Sequence, residues 1–239
     1  MLEKIEKLQI VSLGILIGLA LVVSTKMAAS TIQKNEISVT GSAYEIVKSD
    51  KGSFNFDIEV KKPTRQEAYK AAQENLKVVQ KFLKDKKIEK IEVKTPNTYA
   101  VYKNDARGYS TNEVDHYNYT QPVSVSADDV ELIKEVSADI AGLINQGIVI
   151  NVYAPSYDYS KLPDLKVTLL EKASKDARKR AESMLKPSHN HVGKISAVRM
   201  GVYQITPVDS TDVSDMGIND ASSIDKKVTA VANVTFRIK

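Results

Sequence analysis

The chain has 239 residues, with 34 Lys and Arg against 30 Asp and Glu, a formal net charge of +4 and no cysteine. The lack of cysteine excludes disulfides, zinc–cysteine sites, thiol catalysis, iron–sulfur clusters and a lipid anchor on an N-terminal cysteine. Near-balanced charge removes the electrostatic ground for a nucleic-acid partner, while 42 % hydrophobic residues suffice for a core built by burial alone.

The first predicted element is the charge-free run Leu8–Thr25, bracketed by Lys7 and Lys26. As a helix it is roughly 27 Å long at about 1.5 Å per residue, close to a bilayer's hydrocarbon thickness. A cleaved secretory signal and an uncleaved signal anchor compete for it. The start MLEKIEK holds two Lys and two Glu, a weak positive bias. The stretch Ser24–Ser30 offers no clean A-x-A cleavage site. Both features favour the anchor. A buried core helix is a third option, opposed by apolarity on every side. Residues 1–30 are therefore read as signal anchor or signal peptide. Residues 31–239 are read as one α+β domain, with 36–160 and 161–239 as candidate subdomains.

Ile37–Lys48 reads as a strand, with Gly41 at a bulge or bend. Asp50-Lys51-Gly52 makes a tight turn. Phe54, Phe56, Ile58 and Val60 then alternate with Ser53, Asn55, Asp57, Glu59 and Lys61, the pattern of a half-buried strand. So short a link predicts an antiparallel hairpin between these two strands. A helix opens after Pro63, where Thr64 and Glu67 have capping-box spacing. Its stripe is Ala68, Ala72, Leu76, Val79 and Leu83, joined by Phe82. It ends near Lys86–Lys87, where cations suit the dipole.

Ile88–Lys103 is a strand interrupted at Pro96-Asn97, and Asn104–Asn112 is a polar hairpin tip. His116–Ala127 returns as a strand with Tyr117, Tyr119, Val123 and Val125 on one face. Ser126 and Asp129 cap a second helix, striped by Val130, Ile133, Ile140 and Leu143–Ile144 and stopped by Gly147. Ile148, Ile150 and Val152 start the next strand. The helix Leu165–Lys186 carries a stripe of mostly small residues, Leu169, Ala173, Ala177 and Ala181, then Met184–Leu185. Val192–Val208 is a strand, Asp209–Lys226 an acidic mobile loop, and Val228–Ile238 a strictly alternating last strand. The order β-β-α-β-β-α-β, then α-β-β, predicts an α+β fold with antiparallel or mixed sheets and helices packed on one face.

Certain motifs in this order resemble a known family. They are Val39-Thr40-Gly41-Ser42-Ala43, then Ser49-Asp50-Lys51-Gly52 leading to Asp57-Ile58-Glu59-Val60, the Ala-spaced basic helix, and Val234-Thr235-Phe236-Arg237-Ile238. Behind an export signal they are similar to the SIMPL domain family, over roughly Ile37 to the end. One departure is Lys186-Pro187-Ser188-His189-Asn190-His191, where the family usually continues with Ala and Gly. The resemblance implies a bacterial periplasmic or membrane-anchored envelope protein, with links to stress and self-assembly. It supplies no catalytic residues.

His189 and His191 are the strongest metal candidates, since alternate positions on a strand share a face, but no third ligand is evident. Asp209, Asp212, Asp215, Asp220 and Asp225 are carboxylates suited to calcium, without EF-hand spacing. Lys172, Lys175, Arg178 and Lys179 form a basic helix face suited to anionic headgroups or an acidic partner surface. Tyr117 and Tyr119 are candidate interface residues within a series that includes Tyr99, Tyr102, Tyr109, Tyr153, Tyr157 and Tyr159, since tyrosine is enriched at interfaces. Catalytic and nucleotide-binding motifs (G-x-S-x-G, H-E-x-x-H, the P-loop, G-x-G-x-x-G) are absent from the sequence. The expectation is a non-enzymatic, cofactor-free envelope module that forms homo-oligomers, meets the membrane through Leu8–Thr25 and has an envelope protein as a candidate partner. The rivals are an envelope hydrolase and a lipid- or glycan-binding protein.

Overall fold

The computed structural model describes residues 13–26 and 35–239. Helix α1 covers 13–26, and all of its residues are exposed. The rest of the apolar run, Leu8–Ser12, and the cleavage region from Met27 to Ser30 lie outside the described residues. Among the described residues no helix is long and apolar enough to cross a membrane.

The following elements are β1 (Glu36–Lys48), β2 (Lys51–Lys62), α2 (Arg65–Asp85), β3 (Lys90–Val93), β4 (Asn97–Asn104), β5 (Ser110–Ala127) and α3 (Val130–Asp139). After them come β6 (Val149–Val152), β7 (Ser156–Asp158), α4 (Leu162–Leu185), β8 (Val192–Met200), β9 (Gln204–Pro207), β10 (Ile218–Asn219) and β11 (Asp225–Ile238). They build a mixed α+β fold. One sheet has the order β3-β5-β2-β6, with β4 on β5 and β7 on β2, and is antiparallel throughout. The other has the order β1-β11-β9-β10, with β8 on β11, and is mixed because β10 runs parallel to β9.

The chain divides into two compact units that interleave in sequence. One comprises the segment ending at Ala43, Leu170–Gly201 and Val231–Lys239; the other comprises Tyr44–Leu169 and Val202–Ala230. β1, α4 and β11 contribute residues to both.

The larger unit is held by bulky side chains. Alternation along β2 sends Phe54, Phe56 and Ile58 inward, each at most 1 % exposed, against Leu83 of α2, Ile133 and Val136 of α3, and Val123 and Val125 of β5. Thr64 caps α2, accepting from the Glu67 N–H (3.2 Å) and donating to Glu67 Oε2 (3.0 Å). Asp129 alone caps α3, accepting from the Glu131 and Leu132 N–H groups (3.0 and 3.1 Å), because Ser126 is still in β5. Gly147, with φ +80°, terminates the 3₁₀ stretch Ile140–Gln146 that extends α3.

Two expectations change here. β1 and β2 do not form a hairpin: they belong to different sheets. The turn between them is tied elsewhere, with Ser49 N–H donating to Ile224 O (2.8 Å) and Asp50 N–H to Asp158 O (3.0 Å). The Asp50 carboxylate accepts both the N–H and the hydroxyl of Ser160 (2.7 and 2.5 Å), and these bonds hold its pKa below the usual value. Segment 209–226 is anchored rather than free. Gln204 donates to Ser214 O (2.7 Å), Lys227 to Ser210 O (2.5 Å), and the buried Lys226 to Asp220 O (2.6 Å).

The smaller unit is held by close backbone approach. Ala173, Ala177 and Ala181 of α4 pack on Val39 of β1 and on Ala232, Val234 and Phe236 of β11, all buried. Gly41 is part of this contact and not a bulge, since β1 runs unbroken from Glu36 to Lys48. A Cβ at Gly41 would overlap Ala173 O and Ala177 N and lie 2.8 Å from Ala177 Cα. The missing side chain is what lets strand and helix touch.

Candidate functional site

The feature of the larger unit that its own core leaves uncovered is a two-stranded arm. Pairing of β2 with β5 stops at Lys62 opposite Tyr117. Beyond that point β5 continues back to Ser110 with β4 as its only strand partner among the described residues, through the pairs Val101–His116, Tyr102–Val114 and Asn104–Ser110. The tip is organised by Asp105, whose Oδ1 accepts from the Arg107 and Tyr109 N–H groups (both 2.9 Å). Gly108 supplies the positive φ, +86°, that closes the turn. Thr111 Oγ1 donates to Lys103 O (2.8 Å), and Lys103 pairs with Glu113 (3.3 Å). Such surface contacts stabilise weakly.

The arm carries Tyr102 and Tyr109, 48 % and 70 % exposed, with Tyr99 at 50 % near its base. The two tyrosines singled out from sequence lie elsewhere. Tyr119 is 5 % exposed, packed with Val60, Ala68 and Ala72 and edge-on to Tyr69 at 6.1 Å, and burial raises its pKa. It is a core residue, not a free surface. Tyr117 is half-buried, with the Arg65 guanidinium 5.1 Å above its ring. Tyr157 is also core, and Tyr153 donates its hydroxyl to Asp57 Oδ2 (2.7 Å), which raises its pKa. The tip lies within the polar run Asn104–Asn112, but the strand behind it outruns its neighbour β2, which the sequence pattern alone does not predict. Its trace in the sequence is the polar alternation Thr111-Asn112-Glu113-Val114-Asp115, which has no apolar face to bury.

The basic face of α4 is largely neutralised within the helix. Lys175 pairs with Glu171 (2.6 Å) and holds that carboxyl below its usual pKa, while Arg178 pairs with Glu182 (3.2 Å) and lies 5.8 Å from the Phe236 ring centre. Arg180 pairs with Asp176 (2.7 Å), and Asp176 also accepts the Ser42 N–H (2.9 Å), the main reason its pKa falls. Lys172 is exposed on the same helix. Lys179 lines a cleft that also holds His189 and His191. Among the described residues no group of three or more His, Asp or Glu could hold a metal ion, which covers both the histidine pair and the acidic segment.

A protein-family model, SIMPL, described as a protein of unknown function (DUF541), matches residues 37–236. No curated protein matches the chain.

Proposed function

The chain belongs to the SIMPL family, and from that premise we propose that it is a non-enzymatic envelope module that self-associates through the β4–β5 arm. The observation that carries this reading is the arm itself. A two-stranded ribbon without further cover is marginally stable in water, and its exposed tyrosines have the chemistry of interface anchors. A second copy supplies the cover. Leu8–Thr25 is the tether to the membrane, holding the folded part on the extracytoplasmic face. This is supported by α1, whose apolar side chains from Leu13 to Val23 are more than half exposed in the chain alone and need an apolar surrounding.

The test is light scattering on the full chain in a neutral detergent over a wide concentration range. A discrete oligomer that dissociates in the double variant Tyr102→Ser, Tyr109→Ser supports the reading. A monomer at every concentration overturns it. For the tether, the chain should stay with membranes through alkaline washing, and deletion of residues 8–25 should release it.

A further inference from the structure

The histidine pair belongs to a surface cleft of about 710 Å³ at the C-terminal end of α4, lined by Lys179, Glu182, Lys186, His189, Asn190 and His191 among others. All of these residues lie in the smaller unit. Its wall is built on fixed backbone. After α4 the chain makes a 3₁₀ turn, Lys186–Ser188, and passes through His189 with φ +58°, a left-handed conformation that non-glycine residues adopt at a cost. Ser188 Oγ donates to Leu185 O (2.9 Å), and Asn190 Nδ2 to Ser188 Oγ (3.2 Å). His191 and Lys239 exchange both backbone hydrogen bonds (2.8 and 2.9 Å). Gly193 lets β8 lie close to β11, since a Cβ there would be 2.7 Å from Arg237 O. Both imidazoles are thus presented from anchored positions.

The charge of the lining selects the ligand. The one carboxylate among its described lining residues, Glu182, is already engaged by Arg178. Lys179, whose charge also acts on the Asp176 carboxylate, and Lys186 both line the same space. Two ammonium groups against one carboxylate leave the described lining net positive, which repels a cation and attracts an anion. Imidazole N–H, the Asn190 amide and the Ser183 hydroxyl add neutral donors for an anion with several oxygens. The helix C-terminus opposes an anion weakly through its dipole, an effect smaller than that of two full charges on the lining.

We propose that this cleft is a binding site for a phosphate or phosphodiester group, with Lys179 and Lys186 as the charge-bearing residues and His189, His191 and Asn190 as orienting donors. Inorganic phosphate and the headgroup of an anionic phospholipid share that chemistry. The site lies apart in sequence from the arm, so failure here leaves the self-association reading untouched.

The chain has three histidines, so its imidazole NMR spectrum is a direct readout, with His116 of β5 as internal control. The full chain in neutral detergent is titrated at fixed pH and ionic strength with inorganic phosphate, against chloride. In parallel it is placed in bilayers of phosphatidylcholine alone or with phosphatidylglycerol added. The expected result is a saturable shift of His189 and His191 with His116 unmoved, and binding about tenfold weaker or worse in Lys179→Gln, Lys186→Gln. Both lysines are exposed, so the fold tolerates their loss; Lys175→Gln serves as a charge-matched control without effect. A response to free phosphate identifies a soluble ligand, and a response only to the anionic bilayer identifies a headgroup. Equal shifts of all three histidines, wild-type binding by the double variant, or no response to either probe would overturn the proposal.

Discussion

The two halves of β5 make an instructive contrast. From Tyr117 to Ala127 the strand lies between β2 on one side and β4 and β3 on the other, and Tyr119, Gln121, Val123 and Val125 are all at most 5 % exposed. From Ser110 to His116 it pairs, among the described residues, with β4 alone, and none of its own residues is buried. The strand itself runs through both, although its register with β4 shifts twice within the arm, between Val101 and Tyr102 and between Tyr102 and Asn104. The difference lies in what the side chains remove from water. The clamped half is stabilised by apolar burial at roughly 25 cal/mol per Å². The arm rests on ladder hydrogen bonds and the Asp105 turn, each of which contributes only about 1 kcal/mol net. One strand therefore joins a rigid body to an element that becomes well covered only when another surface meets it.

The contrast can be broken from either side. Phe56→Ala removes a fully buried ring from β2, and a loss of about 3–5 kcal/mol in urea unfolding is expected. A loss under about 1 kcal/mol would show that the clamped half is not the stabilising one. Acid acts on the same unit through Asp220, whose side chain is 9 % exposed. Burial pushes its pKa up, but the bonds from Ser222 and Ser223 and the charge of Lys226 outweigh this and hold it at about 2, below the ordinary 3.8. Its contribution is therefore fully present above about pH 4 and is lost as pH falls toward 2. It amounts to about 2 kcal/mol, and Asp220→Asn should flatten that part of the pH–stability curve. Gly108→Ala places a side chain at φ +86° in the arm's turn and should cost about 1 kcal/mol. That loss should register as faster hydrogen exchange in the arm with the global unfolding midpoint unchanged. Smallest for stability is Tyr102→Ser with Tyr109→Ser, within about 0.5 kcal/mol for these exposed positions, although it should lower the assembled mass.

Much of this was legible because the signals are local. The period-two runs Phe54–Val60 and Val228–Phe236 and most of the helical stripes of α2, α3 and α4 are buried as their spacing demands, whereas Ile144 and Met184, at the ends of two stripes, are exposed. Tyr119 shares the phase of Val123 and Val125, which points to the core face, yet the general enrichment of tyrosine at interfaces singles it out as a surface candidate, and its burial overturns that reading. The ion pairs of α4 were visible as i,i+4 spacing at Glu171–Lys175, Asp176–Arg180 and Arg178–Glu182. What stayed hidden depends on distant residues. The β1–β2 link reads as a hairpin until Ser160, 110 positions away, is seen to hold Asp50. Gly41 reads as a bend until Ala173 and Ala177 are found against it. Segment 209–226 reads as loose until Gln204, Lys226 and Lys227 are seen to tie it down. The cleft at His189 and His191 needs the turn after α4 to bring Lys179 and Lys186 beside them.

The most direct measurement is hydrogen exchange of the arm amides, 110–116, against the clamped amides, 119–125, at protein concentrations spanning assembly. The account predicts that the clamped half is protected at every concentration, whereas arm protection is low in dilute protein and rises with concentration. An arm that exchanges at one unchanging rate across that range would contradict it.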